Sequence, residues 1–167
     1  MTVKVLVLMG VSGSGKTTVG ELLAQTLGWA YADADSFHSP ENVAKMAAGH
    51  PLTDEDRSPW LQSIRAWIDE RVTKQEPGIV GCSALKHAYR DVLRRPELCF
   101  VYLRGTRAEI AERLAARKGH FFKPNMLDSQ LAALEEPSAD ERVITVEIDH
   151  TPSEIVSFVI AELGKLP

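Results

Sequence analysis

The chain predicts an α/β fold: a three-layer α/β/α arrangement around a five-stranded parallel sheet. Three observations predict it. Four short runs rich in Val, Ile, Leu and Phe, and a fifth, brief aromatic one at Trp29 to Ala32, are spread along the 167 residues, and each is followed by a segment with helical spacing of its apolar residues. Strands that alternate with helices need crossover connections, which make neighbouring strands parallel and place helices on both faces of the sheet. The first run ends in a glycine-rich loop, Gly10 to Thr17, that leads directly into a helical segment.

The elements follow in chain order. VKVLVLMG, Val3 to Gly10, is β-branched and leucine-rich, the pattern of a strand buried on both faces. A helix is predicted from Lys16 to Leu27, where Val19, Leu22, Leu23, Thr26 and Leu27 share one face and Gly28 is the stop. A brief strand covers Trp29 to Ala32. Pro40 opens a helix that reaches Ala48 before Gly49, and Asp54 to Asp56 begin another that runs to Thr73. GIVGCS, Gly78 to Ser83, is the third strand, HAYRDVLRR a helix, and LCFVYLRG, Leu98 to Gly105, the fourth strand. TRAEIAERLAARKG is a helix stopped by Gly119, and a short helix lies near Ser129 to Leu134. The fifth strand is RVITVEID, Arg142 to Asp149, and a last helix covers Thr151 to Leu163. One domain spanning 1–167 is expected, without repeats, linkers or low-complexity sequence. A helical insertion over 38–73 and a loop over 118–127 interrupt its alternation.

Composition narrows the function classes. A net charge of -4 and a pI near 5.7 argue against nucleic-acid binding through bulk electrostatics, which uses a concentrated basic face. Cys82 and Cys99 show neither metal-ligand nor CxxC spacing, so a reducing, intracellular setting is expected. Lys4 and the apolar run Val5 to Met9 lead into glycine-rich sequence with no small-residue cleavage site, unlike a secretory signal. No apolar run approaches the roughly 20 residues of a membrane span. A soluble, cytoplasmic protein is the expectation.

The first loop carries the chemistry. Gly10-Val-Ser-Gly-Ser-Gly15-Lys16-Thr17 fits G-x-x-x-x-G-K-[ST] between a predicted strand and a predicted helix, the context this phosphate-binding motif requires. Gly10, Gly13 and Gly15 let the backbone turn its N–H groups inward around phosphate oxygens, with Ser12 and Ser14 between them. The helix start, through Thr17 and Thr18, adds partial positive charge; Lys16 bridges the outer phosphates, and the Thr17 hydroxyl ligates Mg²⁺. A nucleoside triphosphate and Mg²⁺ are therefore the expected ligands of this loop. The guanine motif NKxD and the switch string DxxG of GTPases are absent. The length leaves little room for the modules of large ATPases and suits a small kinase.

Beyond the loop the chain resembles a family. The spacing from Lys16 to Asp33 and Asp35 is similar to that of shikimate kinase. More closely, DxDxxH followed by PENVAKMAAGHPLTDEDRSPWL, then CSALKHAYRDVLR, then YLRGTRAEIAERLAARKGHFFKPNMLDSQLAALEEP, resembles gluconate kinase over roughly residues 4 to 150. The segments GHPLTDEDRSPWL, CSALK and RKGHFFK are more specific than the phosphate loop. The resemblance implies ATP-dependent phosphorylation of D-gluconate at its 6-hydroxyl, on a fold similar to nucleoside monophosphate kinases and as a homodimer. The alternatives are a kinase for another small hydroxy acid or a nucleoside monophosphate, and a nucleotide-binding regulatory domain without turnover.

That resemblance gives the remaining residues roles. Asp33 and Asp35 are both candidates for accepting the hydroxyl proton, with Asp35 favoured on the acceptor hydroxyl and Asp33 on Mg²⁺ through water; because the two alternate along an extended segment, the chain must bend for Asp35 to face the acceptor. His38 is a candidate for a gluconate hydroxyl. Gluconate is an anion with five hydroxyl groups. Arg57 is the candidate for its carboxylate, and Ser83 and Lys86, at the carboxyl end of the third strand, are candidates for the rest of the molecule. Arg90, one helical turn beyond Lys86, either shares that task or pairs with a Glu or Asp on the surface. Arg113 and Arg117 share a helical face; similarity to adenylate-kinase-like enzymes makes Arg113 the residue that stacks on adenine and Arg117 the phosphate clamp. Lys118 to Lys123 reads as a lid hinge in which Lys123 meets phosphate or substrate. Pro152, after the last strand, is the candidate for packing on adenine.

Overall fold

Alternation within the first strand already separates two halves of a core. In β1 (Val5–Met9), Leu6 and Leu8 pack with Leu23, Val101, Leu103, Ile144 and Val156, whereas Val5, Val7 and Met9 pack with Ile64, Ile68, Val80, Leu93 and Phe100. Side chains of successive strand residues point to opposite faces, so a strand apolar throughout must be covered on both. The computed structural model describes residues 2–116 and 124–166.

Around β1 the strands β2 (Ala30–Asp33), β3 (Gly78–Gly81), β4 (Leu98–Arg104) and β5 (Val143–Glu147) are arranged in the order β2-β3-β1-β4-β5. Every pairing is parallel. The helices are α1 (Lys16–Leu27), α2 (Pro40–Ala47), α3 (Asp54–Lys74), α4 (His87–Leu93), α5 (Arg107–Ala116), α6 (Pro124–Ala133) and α7 (Pro152–Leu163). The core partners put α1, α5 and α7 on one face and α3 and α4 on the other. The three-layer α/β/α sheet of five parallel strands is thus as the sequence predicts. No helix among the described residues is long and apolar enough to cross a membrane.

Local chemistry starts the helices of the insertion. Ser39 accepts a hydrogen bond from the Asn42 N–H, and Pro40 occupies the first turn of α2. Thr53 and Asp56 form a reciprocal cap at the start of α3, each side chain accepting from the other's backbone N–H.

Three boundaries depart from the sequence reading. The third strand leaves its ladder at Gly81; Cys82 N–H still donates to Leu8 O at 2.9 Å, but Ala84 then adopts φ 46, which turns the chain off the sheet. A 3₁₀ turn, Ala34–Phe37, follows β2 where only a loop was expected, and Asp33 caps it by accepting from Asp35 N–H at 2.9 Å. Finally, α6 begins at Pro124, ahead of the expected Ser129; Leu127 in its first turns is buried, so packing decides a start that periodicity did not reveal. The expected stop of α5 at Gly119 lies outside the described residues.

These strands deliver their loops to one edge. The carboxyl end of β1 leads to Gly10–Lys16, that of β2 to Asp33 and Asp35, that of β3 to Cys82–Lys86, and that of β5 to Ile148–Thr151. Open parallel sheets place ligands at this edge.

Candidate active site

The phosphate loop is shaped before any ligand arrives. Gly13 has φ +88 and Gly15 φ +99, conformations that L side chains rarely adopt. Space forbids side chains there as well: a Cβ on Gly13 would sit 2.8 Å from Leu114 Cγ, and one on Gly15 would sit 3.3 Å from Arg113 Nη1, intruding between the loop and that guanidinium. The Lys16 ammonium donates to Gly10 O at 2.7 Å and Val11 O at 3.1 Å, which folds the side chain back over the loop. Ser14 is buried, and its Oγ has no hydrogen-bond partner among the described residues. Ser12 is half-buried, while Thr17 and Thr18 are exposed at the start of α1. A backbone nest with a lysine folded over it fits an oligophosphate.

The bend that Asp35 needs is present. The 3₁₀ turn after β2 is fastened from α3, where Trp60 Nε1 donates to Ala34 O at 2.7 Å. Asp33 remains at the sheet edge while Asp35 moves onto the turn. Burial raises the Asp35 carboxyl above its ordinary pKa, Asp33 adds to the rise, and His38 and Lys16 oppose it. Asp35 is thus within electrostatic reach of both the phosphate loop and His38. Burial raises the Tyr31 hydroxyl above its ordinary pKa, and Asp33 adds to the rise; that hydroxyl is buried without a hydrogen-bond partner among the described residues.

His38 lies stacked on Trp60, with ring centroids 4.4 Å apart and planes 9° from parallel. Asn42 Nδ2 donates to Asp56 O at 2.9 Å and stands 3.4 Å from His38 Nδ1. With the amide fixed that way, Nδ1 is the acceptor and the neutral ring carries its proton on Nε2. Burial lowers the His38 pKa; Asp35 opposes that effect and Arg57 adds to it. His38 is accordingly a neutral donor between a carboxylate and a guanidinium.

Arg57 reaches across to α4. Its Nη1 donates to the Tyr89 hydroxyl at 3.1 Å, its guanidinium lies 5.8 Å from the Tyr89 ring centroid, and Asp54 stands 4.0 Å away. Tyr89 hydroxyl donates to Asp54, and Lys86 Nζ lies 3.1 Å from the same carboxylate. Those two partners, Tyr89 first, hold the Asp54 carboxyl below its ordinary pKa. Asp56, the other acidic neighbour of Arg57, is engaged by Lys45 at 2.5 Å. Arg57 and Lys86 therefore make a cationic corner around one exposed carboxylate.

One candidate changes character. Arg90 faces inward instead of toward the site: its guanidinium is fully buried and makes five hydrogen bonds, to both Glu141 carboxylate oxygens and to the carbonyls of Ala84, Leu85 and Glu135. Five bonds use all five N–H donors, so Arg90 has none left for an acceptor molecule. Of the two alternatives for it, pairing with a carboxylate is the observed one, in the interior and not at the surface. Cys82 is buried beside the loop, and burial pushes its thiol up to about 12 against the nearby Lys16, which makes it a packing residue. Ser83 is half-buried; its carbonyl accepts from Gly10 N–H at 3.2 Å, tying the third-strand loop to the phosphate loop.

On the nucleotide side, Arg113 donates to Ser14 O at 3.4 Å and to Ile148 O, and so spans the phosphate loop and the loop after β5. Its neighbour Glu109 is occupied with Thr106 at the start of α5. Pro152 is exposed in the first turn of α7, behind a reciprocal Thr151–Glu154 cap. Arg117, Lys123 and the Lys118–Lys123 hinge lie outside the described residues.

Sequence reasoning missed Tyr31, Asn42, Trp60, Tyr89 and Gln130, all of which touch residues it selected. A helical-neighbour search from Arg57 and Lys86 would have found Trp60 and Tyr89, each three residues on. Nothing local marks Gln130, which bonds Ser12 from 118 residues away.

Comparison with known proteins gives the same picture from outside. A family model described as shikimate kinase matches residues 12–163. The chain is 46% identical over 157 residues to gluconokinase of Gluconobacter oxydans, an overlap covering 93% of this chain and 88% of that protein. It is 46% identical over 166 residues to thermoresistant gluconokinase of Escherichia coli, covering 96% and 94%. The crystal structure of a gluconokinase from Sinorhizobium meliloti superimposes with a TM-score of 0.86 at 44% identity, covering 99% of this chain and 94% of that one.

Proposed function

We infer that this chain, which belongs to the shikimate kinase family and within it to the gluconokinases, transfers the terminal phosphoryl group of ATP to the 6-hydroxyl of D-gluconate. One observation carries the assignment of roles: Asp35 is in electrostatic reach of both the phosphate-loop lysine, Lys16, and His38, which in turn neighbours Arg57. Donor, base and acceptor ends are thereby brought together.

The loop of Gly10, Ser12, Gly13, Ser14 and Gly15, continued by Lys16, Thr17 and Thr18, holds the phosphates, with the Gly10 and Ser12 N–H groups bracing the loop through Ser83 and Gln130, and Arg113 lies toward the adenosine side with Pro152. Thr17, with Asp33 through water, would hold Mg²⁺. No group of three or more His, Cys, Asp or Glu side chains that could hold a metal occurs among the described residues. Mg²⁺ is bound by one or two protein groups together with substrate phosphates and waters. When bound, it offsets phosphate charge.

Arg57 receives the gluconate carboxylate, and its bond to Tyr89 orients the guanidinium. His38, Ser83 and Lys86 hold hydroxyl groups, with His38 donating from Nε2. Asp35 accepts a hydrogen bond from the 6-hydroxyl, aligns its oxygen with the phosphoryl group and takes its proton late, as a loose transition state allows. Lys16 places positive charge where it accumulates on the moving group, and Arg117 and Lys123 complete the clamp. The chain works as one domain with its acceptor wall in the insertion 38–73 and a lid in the segment ahead of α6, as a cytoplasmic homodimer. The free, buried thiols Cys82 and Cys99 agree with a reducing compartment.

The test is acceptor choice. Purified protein with Mg-ATP is expected to phosphorylate gluconate and to leave shikimate, glycerate and AMP essentially unused. Comparable turnover of any of those three would replace this reading.

A further inference from the structure

The α6 helix sends one side chain into the phosphate loop. Gln130 Oε1 accepts from Ser12 N–H at 2.7 Å, and Gln130 Nε2 donates to Ser12 Oγ at 3.1 Å. This two-point contact fixes the orientation of the carboxamide, because only its oxygen can receive the backbone N–H. The helix presenting it is itself anchored: Leu127 is buried in the core, and Asp128 takes Arg107 of α5 at 2.7 and 3.3 Å.

The peptide between Val11 and Ser12 is consequently held at both edges. Its carbonyl, Val11 O, accepts from Lys16 Nζ at 3.1 Å and from Ser14 N–H at 3.2 Å, and its N–H is given to Gln130. We propose that Gln130 is a positioning residue for the transferring phosphate, acting through this peptide and through Lys16. Rotation of the peptide would move the carbonyl on which the ammonium rests, and that ammonium is the group that reaches the outer phosphates. A carboxamide suits the position because it accepts the Ser12 N–H without adding negative charge beside an incoming anion. One of its two N–H groups goes to Ser12 Oγ.

The consequence is specific to the terminal phosphate. A side chain that merely stabilised the loop would affect ATP and ADP alike, whereas one that positions Lys16 affects the ligand carrying the outermost phosphate more. The proposal rests on the nucleotide half of the reading above and needs no particular acceptor.

The experiment titrates the purified full chain, with Mg²⁺, against a non-hydrolysable ATP analogue and against ADP. Gln130→Met keeps the length and removes both hydrogen bonds; Gln130→Glu keeps the acceptor and adds a charge. For Gln130→Met the analogue is expected to bind about tenfold more weakly, the scale of one lost hydrogen bond, with ADP changed by less than about twofold. Gln130→Glu should widen that gap. An equal loss for both nucleotides, or no loss for either, overturns the proposal, and Gln130→Glu carries the test if Gln130→Met does not fold. Failure of gluconate as acceptor would appear in the turnover assay while this nucleotide difference persisted, so the two readings fail separately.

Discussion

Nε of Arg90 lies 2.6 Å from Oε1 of Glu141, and neither side chain reaches solvent. Burial pushes the Glu141 carboxyl up, but Arg90 and the Ser138 N–H outweigh it and hold it below its ordinary pKa. The guanidinium also clasps the carbonyls of Ala84 and Leu85, so the pair ties α4 to the turn that follows β3. Ala84 keeps its left-handed φ 46 within that clasp, one way a sparsely populated conformation is maintained beside a binding loop.

Breaking this pair is expected to cost stability. Arg90→Ala leaves a buried carboxylate without its partner and should lower unfolding free energy by about 3–5 kcal/mol, measured by denaturant titration. Replacing both residues together, Arg90→Met with Glu141→Leu, should recover most of the loss. An Arg90→Ala protein of native stability with only its gluconate KM raised would return Arg90 to the acceptor site.

The two aspartates are separable. Asp35→Asn should preserve nucleotide and Mg²⁺ binding, raise the KM for gluconate and lower kcat by about a hundredfold, since the amide is a far weaker base. Burial and Asp33 raise the Asp35 pKa, so the native acid limb of kcat should lie above the ordinary aspartate value of 3.8, with activity falling as pH drops through it. Asp35→Asn should remove that limb. Asp33→Asn should instead shift the Mg²⁺ dependence. Exchanged phenotypes would swap the assignments.

Arg57→Lys tests carboxylate recognition. One ammonium cannot reproduce a planar, two-pronged contact, and the bond to the Tyr89 hydroxyl loses its guanidinium geometry. Gluconate KM is expected to rise about tenfold with ATP affinity unchanged. Loss of ATP affinity alone would place Arg57 on the nucleotide side.

Stability should carry an acid signature from the insertion. Lys45 first, then the Thr53 backbone N–H, lower the Asp56 pKa from 3.8 to about 2. A carboxylate whose pKa is depressed by folding contributes stability that is fully present above its unfolded pKa and is lost as pH falls through the folded value. The contribution of Asp56 should therefore fade between about pH 4 and pH 2. In Asp56→Asn, melting temperature should depend less steeply on pH across that window; an unchanged slope would show that the pair with Lys45 contributes nothing.

What the sequence by itself determined is whatever depends on neighbours along the chain. The phosphate loop is eight consecutive residues whose glycines set their own backbone angles, so its shape and chemistry were legible at once. Hydrophobic period named five strands and their helices, and long motif segments tied the chain to a family. Tertiary structure decided the fate of individual polar side chains. Lys86 and Arg90 sit one turn apart with similar charge, yet Lys86 faces Asp54 at the surface and Arg90 is buried, because Glu141 and the Glu135 carbonyl from distant segments join the nearby Ala84 and Leu85 carbonyls to supply enough acceptors to make burial of a guanidinium tolerable. The stack of His38 on Trp60, the start of α6 and the reach of Gln130 to Ser12 have the same origin. Backbone preference and periodicity act over a few residues, whereas a buried polar group is stable only where the folded chain brings it a partner, and no local pattern records which partner that will be.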